Sequence, residues 1–185
     1  MYTHVAFLRG INVGGHASVR MSDLQDAFAR AGCRNVRTYI QSGNVLFHVP
    51  ARERPAVLGA IPSKLRHLLD KPDVVFRTAR EIEHLVERAP FKDVEHEPGV
   101  KLYVTFLARK PRVTPILPLV SSKEALEVIA IRERDVFIVS RPKPSGFFGF
   151  PNAFIEALDV LATTRNWTTV TKIAGLLREG ALIGS

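Results

Sequence analysis

Val5-Ala6-Phe7-Leu8, near the start of the chain, returns as Val104-Thr105-Phe106-Leu107, and an arginine follows each run within two residues (Arg9, Arg109). A short apolar run with Val and Phe alternating reads as a strand. Its surroundings also repeat. After the first copy comes a helical pattern of Leu24, Ala27, Phe28 and Ala31, stopped by Gly32. Two strand-like runs follow, Val36–Ile40 and Val45–Val49, joined by Gln41-Ser42-Gly43-Asn44. A connection of this length containing Gly is a hairpin signal. A second helical pattern (Val57, Leu58, Ile61, Leu65, Leu68) and a strand at Asp73–Arg77 complete the set. After the second copy, Leu126–Arg132 and Val136–Ser140 flank Glu133-Arg134-Asp135 as a matching hairpin, followed by a helix from about Asn152 to Leu158. A last helix opens near Asn166 and places Val170, Ile173, Ala174 and Leu177 inward.

The order strand–helix–strand–strand–helix–strand, met twice, predicts an α+β fold. It consists of two tandem ferredoxin-like (β-α-β-β-α-β) units packed together, plus the C-terminal helix. The second unit is degenerate, because Val113–Ser122, where its first helix belongs, contains Pro115 and Pro118. The expected division is residues 1–98, the first unit with its trailing helix, and 99–185, the second with the C-terminal helix; together they would make one compact domain. Ser22-x-x-Gln25 and Thr78-x-x-Glu81 both read as capping boxes, in which hydroxyl and acid or amide satisfy orphan backbone donors. Pro62 predicts a kink or split in the second helix, since it lacks a donor. Pro90 ends the helix opened at Thr78, and Phe91–Gly99 reads as an acidic linker.

The 185 residues carry 26 basic side chains against 18 acidic ones, a formal charge of +8, with 46% hydrophobic residues. That composition belongs to a folded globular chain and excludes a disordered tail. The longest apolar stretch free of charge, Val113–Val120, is far short of the ~20 residues that a spanning helix needs, so no membrane association is expected. No secretory leader is legible before Arg9, and a cytoplasmic location is the expectation. Cys33 is the single cysteine, so an internal disulfide or cysteine-based metal cage cannot form. Arg outnumbers Lys 18 to 8, and residues 1–52 hold six Arg against two acids. The guanidinium fork matches phosphate and carboxylate geometry, so this balance points to an anionic partner, a phosphate-bearing small molecule or a nucleic acid. Without any block of five like charges, a basic but merely solvated surface is the plainer account of it.

Three segments carry candidate ligand contacts. In Arg9-Gly10-Ile11-Asn12-Val13-Gly14-Gly15, three glycines within six residues permit the close backbone approach of an anion-binding nest, with Arg9 and Asn12 as added donors. A loop that only turns a corner has the same composition. The run Thr163-Thr164-Arg165-Asn166-Trp167-Thr168-Thr169 places Arg165 beside the amides of a helix start, where a cation is unfavourable unless an anion is near. Asn166 capping and Trp167 packing are the plainer reading. In Tyr39–Asn44, Gln41, Ser42 and Asn44 offer polar edges to a ligand, although Asn and Gly are also what a tight turn demands. A further run, Gly146-Phe147-Phe148-Gly149-Phe150, superficially resembles an RNA-stacking signature but falls in a Pro-flanked loop.

Catalytic constellations are thin. The six histidines show neither His-x-x-x-His nor His-Glu-x-x-His spacing, so neither a metal nor a cofactor is expected. There is no Gly-x-Ser-x-Gly elbow. His16, beside Gly14-Gly15, is a candidate general base, but a lone loop histidine is more often a solvated residue.

Taken together, Phe7–Gly15, Met21-Ser22-Asp23-Leu24, Val36–Val45 and Ala162–Trp167 resemble the bacterial domain-of-unknown-function family 1697. The resemblance spans almost the whole chain and implies that these segments are the family's signature. It brings no established activity. This chain departs from the family at Gly146–Phe150, where the family usually has a Lys-containing polar stretch. The function expected is binding of a phosphate-bearing ligand, nucleotide or nucleic acid, in a cleft formed by the Arg9–Gly15 loop and the Thr163–Asn166 segment. The contacts expected are Arg9, Gly10, Asn12, Gly14, Gly15, Gln41, Ser42, Asn44, Thr164, Arg165 and Asn166. The alternatives are a small enzyme acting on a phosphorylated metabolite, using His16 or a Thr of 163–169, and a basic module that docks an acidic protein.

Overall fold

The computed structural model describes residues 1–11, 19–95, 98–113, 115–121, 125–142 and 158–182, the last three as backbone only. Two antiparallel sheets and, among the described residues, four helices make a mixed α+β fold. The first sheet holds β1 (His4–Leu8), β2 (Arg34–Tyr39), β3 (Asn44–His48) and β4 (Val74–Thr78) in the order β2-β3-β1-β4. The helices α1 (Met21–Arg30), α2 (Arg54–Leu65) and α3 (Ala79–Glu87) alternate with these strands. The second sheet holds β5 (Lys101–Leu107), β6 (Leu119–Ser121), β7 (Leu126–Arg132), β8 (Asp135–Ser140) and β9 (Ala162–Asn166), in the order β6-β7-β8-β5-β9, and α4 (Trp167–Leu182) follows. The chain forms two compact units, Met1–His84 with Ile173–Ser185, and Leu85–Lys172.

The repeated Val-x-Phe-Leu run occupies the same place in each sheet. β1 lies between β3 and β4, and β5 lies between β8 and β9. Setting β6 aside, the two strand orders coincide. β6 itself corrects an expectation: the stretch that should hold the second unit's first helix contains an edge strand instead, paired through Leu119 and Val128. Two prolines in that stretch leave a helix without its donors, whereas an edge strand tolerates them. Val113, Ile116 and Val120 stand exposed there.

Alternation sorts the first core. Ala6, Leu8, Val45 and Phe47 share a cluster with Leu24 and Phe28 of α1 and Val57, Ile61 and Leu65 of α2. The opposite face of the same sheet, Val5, Phe7, Leu46, Val75 and Arg77, is buried as well. In the second unit Leu107, Val128, Val136, Ile138 and Ala162 form a separate cluster. Phe91 sits edge-on to both Phe137 (5.8 Å) and Trp167 (5.2 Å), which makes Trp167 a packing residue.

Two local expectations fail, each for a tertiary reason. Ser22-x-x-Gln25 is not a capping box: α1 starts one residue earlier, at Met21, behind Arg20, which makes no side-chain cap. Ser22 donates to Asp23, and Gln25 Nε2 reaches Thr38 Oγ1 on β2 at 3.2 Å. Pro62 does not split α2, which runs unbroken from Arg54 to Leu65. An internal proline costs about 3 kcal/mol, and burying Val57, Ile61 and Leu65 at roughly 1.5–3 kcal/mol each outweighs it.

The box at Thr78 forms completely. Thr78 N–H donates to Glu81 Oε2 (2.7 Å), Glu81 N–H donates to Thr78 Oγ1 (3.2 Å), and the hydroxyl donates to the same carboxylate (2.8 Å). Thr78→Ala is therefore expected to lower unfolding free energy by about 1 kcal/mol. Urea denaturation checks this; an unchanged midpoint would mean that the box adds nothing beyond the packing of α3.

Cys33 is buried, and desolvation pushes its thiol up to about 12. No helix among the described residues is long and apolar enough to cross a membrane. No group of three His, Cys, Asp or Glu among them is placed to hold a metal ion. The expected helix near Asn152 (but for Leu158) and the Gly146–Phe150 run lie outside the described residues, as do Asn12, Gly14, Gly15 and His16.

Candidate functional site

The loop after β1 and the turn between β2 and β3 meet at one end of the first sheet. Gly43 holds φ +71°, and a Cβ built on it would stand 2.8 Å from Ile11 Cγ1 and 3.0 Å from Leu8 Cβ. The Leu8 N–H donates to the Gly43 carbonyl at 2.8 Å. Two segments more than thirty residues apart in sequence are thereby locked together through backbone and a glycine that no other residue can replace without strain. Asn44 is fully buried, and its amide donates to Tyr39 O (3.1 Å) and Ser42 Oγ (2.9 Å). Asn44 therefore supports the turn from within. Gln41 is exposed and Ser42 half-buried at its rim.

Arg9 stands exposed beside this junction. Its N–H donates to Asp73 O at 2.9 Å, fixing the backbone, while its guanidinium lies 4.0 Å from the Asp73 carboxylate. An exposed pair at that distance holds weakly, leaving the guanidinium available to a better anion. Gly10, at φ +68°, has open space around it.

The third segment, Thr163-Thr164-Arg165-Asn166, enters the last helix in the second unit as expected, since α4 opens at Trp167, but it does so as the end of a strand, β9. β9 runs antiparallel to β5, with Ala162 opposite Leu107 and Asn166 opposite Tyr103. Arg165 faces Val104, the counterpart of Val5, and Val5 faces Arg77 in the first sheet. The residue that corresponds to Arg165 is thus Arg77, not a residue of the Arg9 loop. Both are buried, and each donates from Nη1 to the carbonyl of its preceding residue, Phe76 or Thr164, at 2.8 Å. Arg165 also donates to Thr163 Oγ1 at 2.7 Å, and burial lowers its pKa to about 10. Thr164 Oγ1 is bonded to Thr105 Oγ1 at 2.7 Å. Asn166 is exposed, one residue before α4.

Two cavities were not legible in the sequence. One, of about 550 Å³, lies in the first unit among His4, Arg54, Thr78, Arg80, Glu83 and Leu177. The other, of about 390 Å³, lies in the second unit among Arg88, Lys110, Arg132 and Glu133, with Lys110 paired to Glu133 at 3.4 Å. Neither follows from a motif, because each draws its charges from separate elements.

The family model described as "Protein of unknown function (DUF1697)" matches residues 1–137, and the chain belongs to that family. No curated protein matches it. Among solved structures it is similar to the conserved bacterial protein SP0830 from Streptococcus pneumoniae. That chain is 19% identical, the match covers 95% of this chain and 98% of that one, and the TM-score is 0.62. This likeness concerns the fold.

Proposed function

We propose that this member of the DUF1697 family binds a phosphate-bearing ligand, a nucleotide or a nucleic-acid strand, where the loop after β1 meets the β2–β3 turn. The observation that carries the reading is the junction at Gly43, which ties the two signature segments together beside an exposed, weakly paired Arg9. Arg9 supplies the fork for phosphate, and Gly10 leaves room for close approach, with Asn12, Gly14 and Gly15 continuing the same loop in sequence. Gln41 and Ser42 supply polar edges from the turn. Asn44 acts by holding that turn. Arg165 and Thr164 take no direct part in this reading: Arg165 Nη1 is bonded to Thr163 and Thr164 within β9, and the Thr164 hydroxyl to Thr105 on β5. The strand order β2-β3-β1-β4 is what a β-α-β-β-α-β plait requires, and β7-β8-β5-β9 repeats it, which supports reading the chain as two tandem ferredoxin-like units. Such sheets are frequent nucleic-acid platforms, an argument from fold analogy.

The test is anisotropy of labelled single-stranded RNA and DNA, beside calorimetry with nucleoside mono- and triphosphates. Wild-type protein should bind one of these classes, and Arg9→Ala should weaken it tenfold or more. A nucleic-acid ligand will lose affinity steeply between 50 and 200 mM salt, by the ~10³ or more that release of several counterions produces, whereas a single nucleotide will not. Wild-type protein that binds no probe, or Arg9→Ala that binds as wild type, overturns the reading.

A further inference from the structure

We propose that the cavity at the opposite end of the first sheet is a second, separate site for a small phosphomonoester that also carries hydroxyl groups, such as a sugar or polyol phosphate. The cavity is about 550 Å³, within the ordinary range for small-molecule sites. Arg54, at the start of α2, and Arg80, at the start of α3, bring two guanidiniums to it from different elements. Neither makes an ion pair among the described residues. Two unpaired cations lining one concave space attract an anion, and their planar forks suit phosphate.

His4 gives independent support. It lines the same cavity and is only 3% exposed, yet its Nε2 has no hydrogen-bond partner. The other ring nitrogen is bonded to Thr3 Oγ1 at 2.9 Å, and the ring stacks on Phe47 at 5.6 Å, so the imidazole is held in place. Burial and the nearby Arg54 lower its pKa, which keeps it neutral. Buried polar atoms are ordinarily satisfied, so the enclosed, unpartnered Nε2 shows that hydrogen bonding beside the cavity is incomplete.

Glu83 sets the class of ligand. A carboxylate on the wall disfavours a polyanion and accepts hydrogen bonds from hydroxyls. One phosphate for the arginines and hydroxyls for Glu83 fit this arrangement better than a triphosphate or a nucleic-acid backbone. The site is independent of Arg9: β1 separates them by five residues, roughly 17 Å along a strand.

Titration calorimetry with ribose 5-phosphate, inorganic phosphate and ribose is the experiment. Wild-type protein should bind ribose 5-phosphate at least tenfold more tightly than inorganic phosphate, and ribose not measurably. Arg54→Gln and Arg80→Gln should each weaken ribose 5-phosphate tenfold or more, and Glu83→Gln should reduce it to the level of inorganic phosphate. Arg54 and Arg80 are exposed, so these variants should melt as wild type does. Arg112→Gln, an exposed residue of the second unit outside both proposed sites, should bind ribose 5-phosphate unchanged, which ties the losses to this cavity. No binding by wild-type protein, arginine variants of the cavity that bind normally, or an equal loss of binding in Arg112→Gln would each overturn the proposal.

Discussion

Gly43→Ala should destabilise the first unit by about 2–5 kcal/mol, more than any exposed substitution in the chain. Two costs combine. An L-residue at φ +71° meets the left-handed penalty of roughly 1–2 kcal/mol. The new Cβ also stands 2.8 Å from Ile11 Cγ1 and 3.0 Å from Leu8 Cβ. Those side chains are 3% and 1% exposed, so neither has space to withdraw, and overpacking of this kind typically costs about 1–3 kcal/mol. Gly10→Ala is the matched control. It has nearly the same backbone angle, φ +68°, but nothing within 4 Å, and should show the conformational cost alone. Urea unfolding of the two variants separates packing from backbone strain. Equal losses at both glycines would show that the contact with Ile11 and Leu8 is slack, and with it the junction on which the proposed phosphate site rests.

How much of this was legible in the sequence depends on whether the signal is local. The Val-x-Phe-Leu runs, the hairpins and the Thr78–Glu81 box are written in adjacent residues and reach the structure intact. Ser22-x-x-Gln25 has the same local pattern, but Gln25 is drawn to Thr38 across the unit, a competitor that spacing along one helix cannot reveal. Pro62 misleads in the same way, because a buried stripe on α2 overrides the lost donor. The candidate loop was visible from its glycines, and its meeting with Gly43 was not, since that contact depends on sheet order. The β9 segment was half legible: the helix does start after Asn166, but the strand leading into it was missed, although β-branched threonine favours strands. One signal was there to use: Phe76-Arg77-Thr78 before α3 and Thr164-Arg165-Asn166 before α4 share an arginine followed by a capping residue type. Aligning them places Arg165 opposite Val104 as Arg77 is opposite Val5, which is the register found.

That correspondence leads to the other large effect. Arg165→Ala should cost about 3 kcal/mol, because truncating a long buried side chain leaves a void and removes the donor from Thr163 Oγ1 and Thr164 O. Arg165→Met keeps most of the volume and removes a charge that burial disfavours, so its cost should be no more than about 1 kcal/mol. The charge can be tested separately by pH. The pKa of Arg165 falls to about 10 in the fold, well below the ordinary guanidinium value, with burial as the cause. Between those values the unfolded chain binds more protons than the native one, so the native state gains stability as pH rises through about 10. The burial penalty is fully present at neutral pH and is relieved only in that alkaline window. Burial also raises the Tyr103 hydroxyl, which acts in the opposite sense, but that group is common to wild type and variant. The difference in unfolding free energy between wild type and Arg165→Met should therefore shift towards wild type from pH 9 to 11. A flat difference would mean that the guanidinium is solvated or paired well enough to keep its proton.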